Sequence, residues 1–277
     1  MKKYIITILF LAGVLVTLSV LLYPAVADAV NSRRQTRVVN FYLDDVAVMD
    51  DGNRLAILEA AHTYNKGLLR MQDRFKPTEA ETAQYRRQLD AGRGVMGILV
   101  IDKIDVNLPI YHGTDEGVLQ IGIGHLQGTS LPVGGAGTHA FITGHRGLPS
   151  SKLLSNLDKM AGGDTFSLFI LGETLTYRVD DIRTVKPDEV EALEIDAGMD
   201  YCTLVTCTPY GVNTHRLLVR GRRTENAAGA QAPVKAGARR LEKHLIILLF
   251  TIPALPVFIL YASLRCVKIY KGGKVKR

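Results

Sequence analysis

The sequence predicts a mainly β domain, a closed barrel, carried between two transmembrane segments. Residues 94 to 223 consist mostly of short Val- and Ile-rich runs separated by turn residues, with few helical stretches between them, the texture of a closed β-barrel. From Tyr4 to Ala27, and again from Leu245 to Leu264, no charged residue occurs. Twenty helical residues at ~1.5 Å each span the ~30 Å hydrocarbon core of a bilayer. The charges fit this division. The formal net charge is +7, but Lys2 and Lys3 precede the first apolar segment, and the tail RCVKIYKGGKVKR after the second holds six basic residues and no acid. The other 26 of the 34 basic residues face all 27 acidic ones, so the folded part is close to neutral and no nucleic-acid partner is expected. The basic ends read as cytoplasmic flanks. Arg33, Arg34 and Arg37, with Arg239, Arg240 and Lys243, stand on the other side of the two segments and run against that pattern.

Taken in order, residues 1–27 fit two readings. Lys2 and Lys3, an apolar run and Ala25-Val26-Ala27 resemble a cleavable secretory signal. The run exceeds the ~7–15 residues of a signal core, which favours a retained anchor. Residues 28–93 form a helical extension ending in a long loop. NSRRQTRVVNFYLDDVAVM reads as a helix; Asp50-Asp51-Gly52-Asn53 breaks it and caps a second, in which Leu55, Leu58, Ala61, Leu68 and Leu69 recur at helical spacing. From Asp73 to Gly94 the chain is polar, with Pro77 as a breaker and a short helix expected within Ala80 to Leu89. Loops of that length often serve as lids.

Residues 94–223 are the barrel. GVMGILVIDKIDVNLPIYHG reads as strands, and GTHAFITGHRG as a strand running into a turn. KLLSNLDKM is expected to form a short amphipathic helix capped by Ser150 and Ser151. DTFSLFILGETLTYRVDDIRTV reads as a hairpin turning near Gly172, and a short acidic helical piece around Asp188 to Leu193 precedes the strand that carries Cys207. Residues 224–244 are small and polar, a stalk linker. Residues 245–264 are a transmembrane helix despite Pro253 and Pro256, which membrane helices tolerate, and 265–277 are a basic cytoplasmic tail. The expected topology puts both termini in the cytoplasm and residues 28 to 244 outside the cell membrane.

Outside the membrane, cysteines normally pair. Cys202 and Cys207 lie five residues apart in one apparent strand, so they are ~16 Å apart and point to opposite faces. A disulfide tolerates at most ~7 Å between α-carbons, which leaves Cys207 a free thiol. A thiol is a useful nucleophile only as thiolate, beside a base or a positive charge. Of the histidines, His244 abuts the membrane, His62 sits on a helix and His112 in a turn, whereas His125 and His145 lie in Gly-flanked segments at strand ends. His215 and Arg216 are adjacent, so only one of them can face Cys207. Arg216 opens the strand that follows the connection Thr208 to Thr214. A guanidinium there suits a developing oxyanion, being always protonated and presenting five donors in a planar fork. On spacing alone, a buried inert cysteine and a surface arginine fit these residues as well.

The phrases VNLPIYHGT, GHLQGTSLPVGG, THAFITGHRGLPSSKLLSNLDKM and TLVTCTPYGVNTHRLLVRG strongly resemble the sortase family, in its class C, pilin-polymerising branch of Gram-positive bacteria. The resemblance covers roughly residues 30 to 265. It implies an eight-stranded sortase barrel with an N-terminal helical extension, and a cysteine transpeptidase that needs no cofactor and no metal. The family's nucleophile falls on Cys207, its histidine on His145 and its arginine on Arg216. The implied partners are secreted pilin subunits with an LPXTG-like sorting motif, cleaved between Thr and Gly, and an acceptor lysine that resolves the acyl-thioester as an isopeptide bond. His125 has no role in the family motif and is assigned to structure. The same branch carries a lid marked by Asp-Pro-Phe or Asp-Pro-Trp. Here Asp73-Arg74-Phe75 lies in the expected loop, with Asp73 expected to pair with Arg216 and Phe75 to cover Cys207. Arginine replaces the proline, which removes a φ restraint. Two rivals stand beside this reading: a sortase that uses a peptidoglycan precursor amine, and a non-catalytic barrel that only binds pilins.

Overall fold

The structure, a computed structural model, describes residues 2–71, 73–189 and 193–226. The expected second transmembrane helix and basic tail, and the linker beyond Asn226, lie outside the described residues, as does the middle of the acidic piece at 188–193.

The chain opens with one unbroken helix, α1 (Lys2–Val48), that carries Pro24 in its interior. The apolar run and the helix that follows it are therefore a single rod. Its first part exposes Phe10, Leu15, Val16, Val20, Leu21 and Tyr23. By length and composition it is the one helix among the described residues able to cross a membrane. Its last part turns Val39, Tyr42, Leu43 and Val46 into the core. The Tyr42 hydroxyl ties the rod to the barrel by donating to Met96 O (3.2 Å) and accepting from Leu171 N–H (2.8 Å).

The second helix, α2 (Asp51–Leu68), starts where the caps predict, with the Asp50 side chain accepting from Asn53 N–H. Leu58, Ala61 and Leu68 pack inward, but Leu55 and Leu69 stay exposed, so the apolar stripe is narrower than its sequence suggests. Asn65 completes the seating: its side chain accepts from Leu131 N–H (2.7 Å) and donates to Leu131 O (3.1 Å). The short helix of the polar loop is α3 (Glu79–Tyr85), closed at its start by a Thr78–Glu81 capping box.

Eight strands follow: β1 (Val95–Ile101), β2 (Val106–His112), β3 (Ile123–His125), β4 (Thr138–Thr143), β5 (Thr165–Ile170), β6 (Glu173–Val185), β7 (Asp200–Thr208) and β8 (His215–Thr224). A short helix, α4 (Glu116–Ile121), lies between β2 and β3. The strands close in the order β1-β2-β3-β4-β7-β8-β6-β5, with β5 pairing back onto β1. β4 and β7 run parallel, and β7 and β8 antiparallel, so the last residues of β4 and β7 and the first of β8 share one end.

KLLSNLDKM departs from its expected helix. It forms turns and a single 3₁₀ turn at Leu157–Lys159. Leu153 has φ 35°, outside the helical region, and Leu154 N–H donates to His145 O (3.2 Å) instead of to its own segment. Tertiary hydrogen bonds override the local pattern here.

Candidate active site

Strand parity decides what faces what. Along β7, Cys202 and Leu204 belong to the barrel core, so Thr203, Val205 and Cys207 point outward. Cys202 is fully buried and Cys207 half-buried, and both are free thiols. Burial raises the Cys202 thiol well above its usual range, with the nearby Asp200 carboxylate adding to the rise. In the β7–β8 register Cys207 pairs with Arg216, and His215 with Thr208. Directly opposed residues share a face, so Arg216 is the member of the His-Arg pair that lies beside the thiol.

On β4, Ala140 and Ile142 face the core, leaving His139, Phe141 and Thr143 outside. Beyond the strand end the chain stays tied to β7: Gly144 N–H donates to Val205 O (3.1 Å), and the Thr206 hydroxyl donates to Gly144 O (2.8 Å). His145 follows at once, on the outward parity of β4. The three expected residues thus sit at one end of three adjacent strands. The ring nitrogen Nε2 of His145 is buried without a hydrogen-bond partner and lies 3.6 Å from Glu116 Oε2 at the start of α4. Arg216 Nη1 donates to two backbone carbonyls, Asn213 O and His215 O, each at 3.2 Å. The fork is therefore anchored on its own turn.

Two other histidines, His125 and His139, are held neutral. His125 is fully buried, and that burial lowers it to about 4. Its Nε2 donates to Ser130 O (2.8 Å), and its Nδ1 accepts from the Tyr85 hydroxyl (2.9 Å), which itself accepts from Gly113 N–H. A histidine so pinned serves structure. His139, also lowered to about 4 chiefly by burial, donates from Nδ1 to Glu194 O and accepts at Nε2 from the Thr203 hydroxyl, both at 2.7 Å. It stitches β4 to β7 and to the connection before β7.

The Asp73-Arg74-Phe75 segment packs against a neighbouring part of this surface. A Cβ on Gly128, whose φ is +93°, would lie 2.5 Å from Arg74 O and 2.7 Å from the Phe75 ring, so only glycine admits the segment this closely. Gly128 lies in the β3–β4 connection, where Thr129 Oγ1 accepts from Phe141 N–H. Arg74 Nη2 donates to Leu193 O (2.8 Å), a fastening that stands where a proline would have stiffened the backbone. Among the described residues no ion pair joins Asp73 to Arg216, and Phe75 is seated on Gly128.

Thr206 and Glu116 are not singled out in the sequence. Thr206 carried a signal, a hydroxyl at an inward, otherwise apolar position of β7. Glu116 carried none, because only the fold brings α4 to His145.

The sortase-domain family model matches residues 99–224. Sortase C1 from Streptococcus agalactiae is 52% identical over 69% of this chain and 100% of its own, with a TM-score of 0.66. The chain belongs to the sortase family. The sortase C of Streptococcus pneumoniae, whose structure is described as bearing on catalysis and pilin substrate specificity, is 42% identical over 72% of this chain and all of its own, with a TM-score of 0.62. The solved neighbours of this sortase thus include class C enzymes. Among curated proteins, Sortase A of Streptococcus agalactiae is 33% identical over 117 residues, 41% of this chain and 47% of that protein. The match spans about half the length of that relative.

Proposed function

We propose that this chain is a membrane-anchored cysteine transpeptidase that polymerises pilins. The observation that carries the reading is the grouping of Cys207, Arg216 and His145 at the ends of β7, β8 and β4. The class C neighbours, one of them described in terms of pilin substrates, support it. In this reading the Cys207 thiolate attacks the carbonyl of the Thr-Gly bond in an LPXTG-like motif. Charge develops on the carbonyl oxygen, and Arg216 stabilises it or holds the substrate. As the tetrahedral intermediate collapses, the C–N bond breaks and His145 protonates the leaving glycine amine. A pilin lysine amine then attacks the thioester, His145 takes its proton, and the thiolate departs as the isopeptide bond forms. The catalytic domain lies outside the cell, and both termini lie in the cytoplasm.

The test uses the full chain in membranes with candidate pilin subunits. A ladder of covalent multimers, with a thioester on Cys207 trapped by mass spectrometry, is the expected result. Products joined only to a small peptidoglycan-type amine would point to wall anchoring, and bound pilin without any covalent product would point to a binding module.

The Asp73-Arg74-Phe75 segment acts in this reading as a lid that must leave before a substrate enters. Arg74→Ala removes its hydrogen bond to Leu193 O. A net ~0.5–1.5 kcal/mol for one such bond corresponds to roughly a two- to tenfold larger open fraction. Modification of Cys207 by a bulky thiol reagent should accelerate by that ratio, and an unchanged rate would mean that Arg74 does not fasten a cover over the thiol.

A further inference from the structure

The catalytic end of the barrel is fastened to the first residues of α1 that leave the apolar run. Asp28 is the first charged residue after Ala27. Its Oδ1 accepts from Lys152 N–H (2.8 Å), and its carboxylate also meets Lys152 Nζ (3.9 Å). One turn later Asn31 donates to Ser150 O (2.9 Å), and after another Gln35 donates to Ile121 O (3.1 Å) and Ser151 Oγ (3.3 Å). Gln35 is buried there. Tyr23, Val26, Ala27 and Val30 line a shallow cleft closed by Ser150. The captured segment, 150–152, belongs to the loop that follows His145, and that loop returns to His145 through Leu154 N–H donating to its carbonyl. Two residues of extended chain and these hydrogen bonds put the His145 carbonyl within roughly 13 Å of the Asp28 carboxylate.

The far end of the barrel is held higher on the rod, through Tyr42 to Met96 and Leu171 and through Asp45 to Arg93 (2.8 Å). The rod therefore sets both the tilt and the height of the barrel, with the His145 end toward the bilayer. Arg33, Arg34 and Arg37 are exposed on the same stretch and carry no ion pair among the described residues. Long basic side chains placed just beyond an apolar span reach headgroup phosphates. A headgroup layer is ~5–8 Å deep, so an apolar span that ends at Ala27 would put the Asp28 turn within it and the His145 loop close by.

We propose that α1 is a strut that fixes the catalytic end at the membrane surface, so that acyl transfer is tuned to a donor held in the same bilayer. Asp28, Asn31 and Gln35 are then positioning residues. The proposal rests on the catalytic reading of His145 given above, and its test separates the two. A seven-residue helical insert between Ala27 and Asp28 adds nearly two turns. It raises the barrel by ~10 Å while rotating it by only ~20°, and it leaves the docking residues untouched.

The first measurement does not depend on catalysis. In full-length chain in vesicles, a fluorophore on Pro149→Cys, in a Cys207→Ala and Cys266→Ser background, is exposed to lipids carrying a nitroxide headgroup. Strong quenching is expected, and the insert should abolish most of it. Equal quenching with and without the insert overturns the proposal. The second measurement keeps Cys207 and compares a vesicle-anchored sorting-motif donor with the same motif as a soluble peptide. The insert should cut transfer from the anchored donor by about tenfold, the loss expected when two tethered groups no longer meet, and leave soluble-peptide transfer unchanged. Equal loss on both donors, or none on the anchored one, overturns the tuning of height. Absence of transfer in the parent chain defeats the catalytic reading and leaves the quenching result to decide where the barrel sits.

Discussion

Cys207→Ala is expected to remove covalent transfer altogether, while Cys202→Ala keeps most of it. Acyl transfer through a thioester has no route without the sulfur, so the loss should reach the background, about 10⁴-fold or more. The contrast with Cys202 makes the experiment specific. Both thiols are on β7 and both are unpaired, but Cys202 is fully buried in the barrel core and burial keeps it a thiol. Removing its sulfur opens a small cavity and leaves the outer face intact. Turnover should then stay within a few-fold of the parent chain, since a truncation of this size costs about 1 kcal/mol. The assay is ladder formation with both proteins checked for folding by circular dichroism. Equal loss in the two variants would remove the assignment of a single nucleophile.

Why the sequence distinguishes these thiols is plain from the strand. A period of two is a strong constraint, and five residues of separation must change the face. The same parity separates His215 from Arg216, and the β7–β8 register bears it out. The barrel was legible for a related reason: short β-branched runs between turn residues fit little else. Contacts between distant segments were not legible. The change from apolar to charged at Asp28 suggested a boundary, yet α1 continues through it because Asn31 and Gln35 find partners in the 150–152 loop and at Ile121. That capture also explains the missing helix at KLLSNLDKM. The Ser151 hydroxyl, an expected cap, accepts from Gln35 instead, Ser150 O and Lys152 N–H are taken by Asn31 and Asp28, and Leu154 N–H turns back to His145. The Asp73-Arg74-Phe75 segment shows the limit of motif reading. Losing the proline suggested a looser loop, whereas the arginine finds Leu193 O, 119 residues away in the chain.

Arg216→Lys is the second large effect, and it keeps the charge. Arg216 stands opposite Cys207 across the β7–β8 ladder, and Nη1 is committed to the carbonyls of Asn213 and His215. A guanidinium has five donors in a rigid plane, so one nitrogen can brace the turn while the others address a substrate oxygen. Lysine offers one ammonium at the end of a flexible stem. If it satisfies the turn, it is withdrawn from the oxyanion; if it reaches the oxyanion, two carbonyls lose their donor. Losing an oxyanion donor typically costs ~2.7–4 kcal/mol, or about 10²–10³ in rate. The expected outcome is a fall of that size in kcat for transfer from a sorting-motif peptide. A rise confined to KM would assign Arg216 to holding the substrate, since uniform binding lost from ground state and transition state leaves kcat unchanged. Near-normal turnover of the lysine variant would show that a point charge suffices beside Cys207, and the planar fork would then have no part in the chemistry.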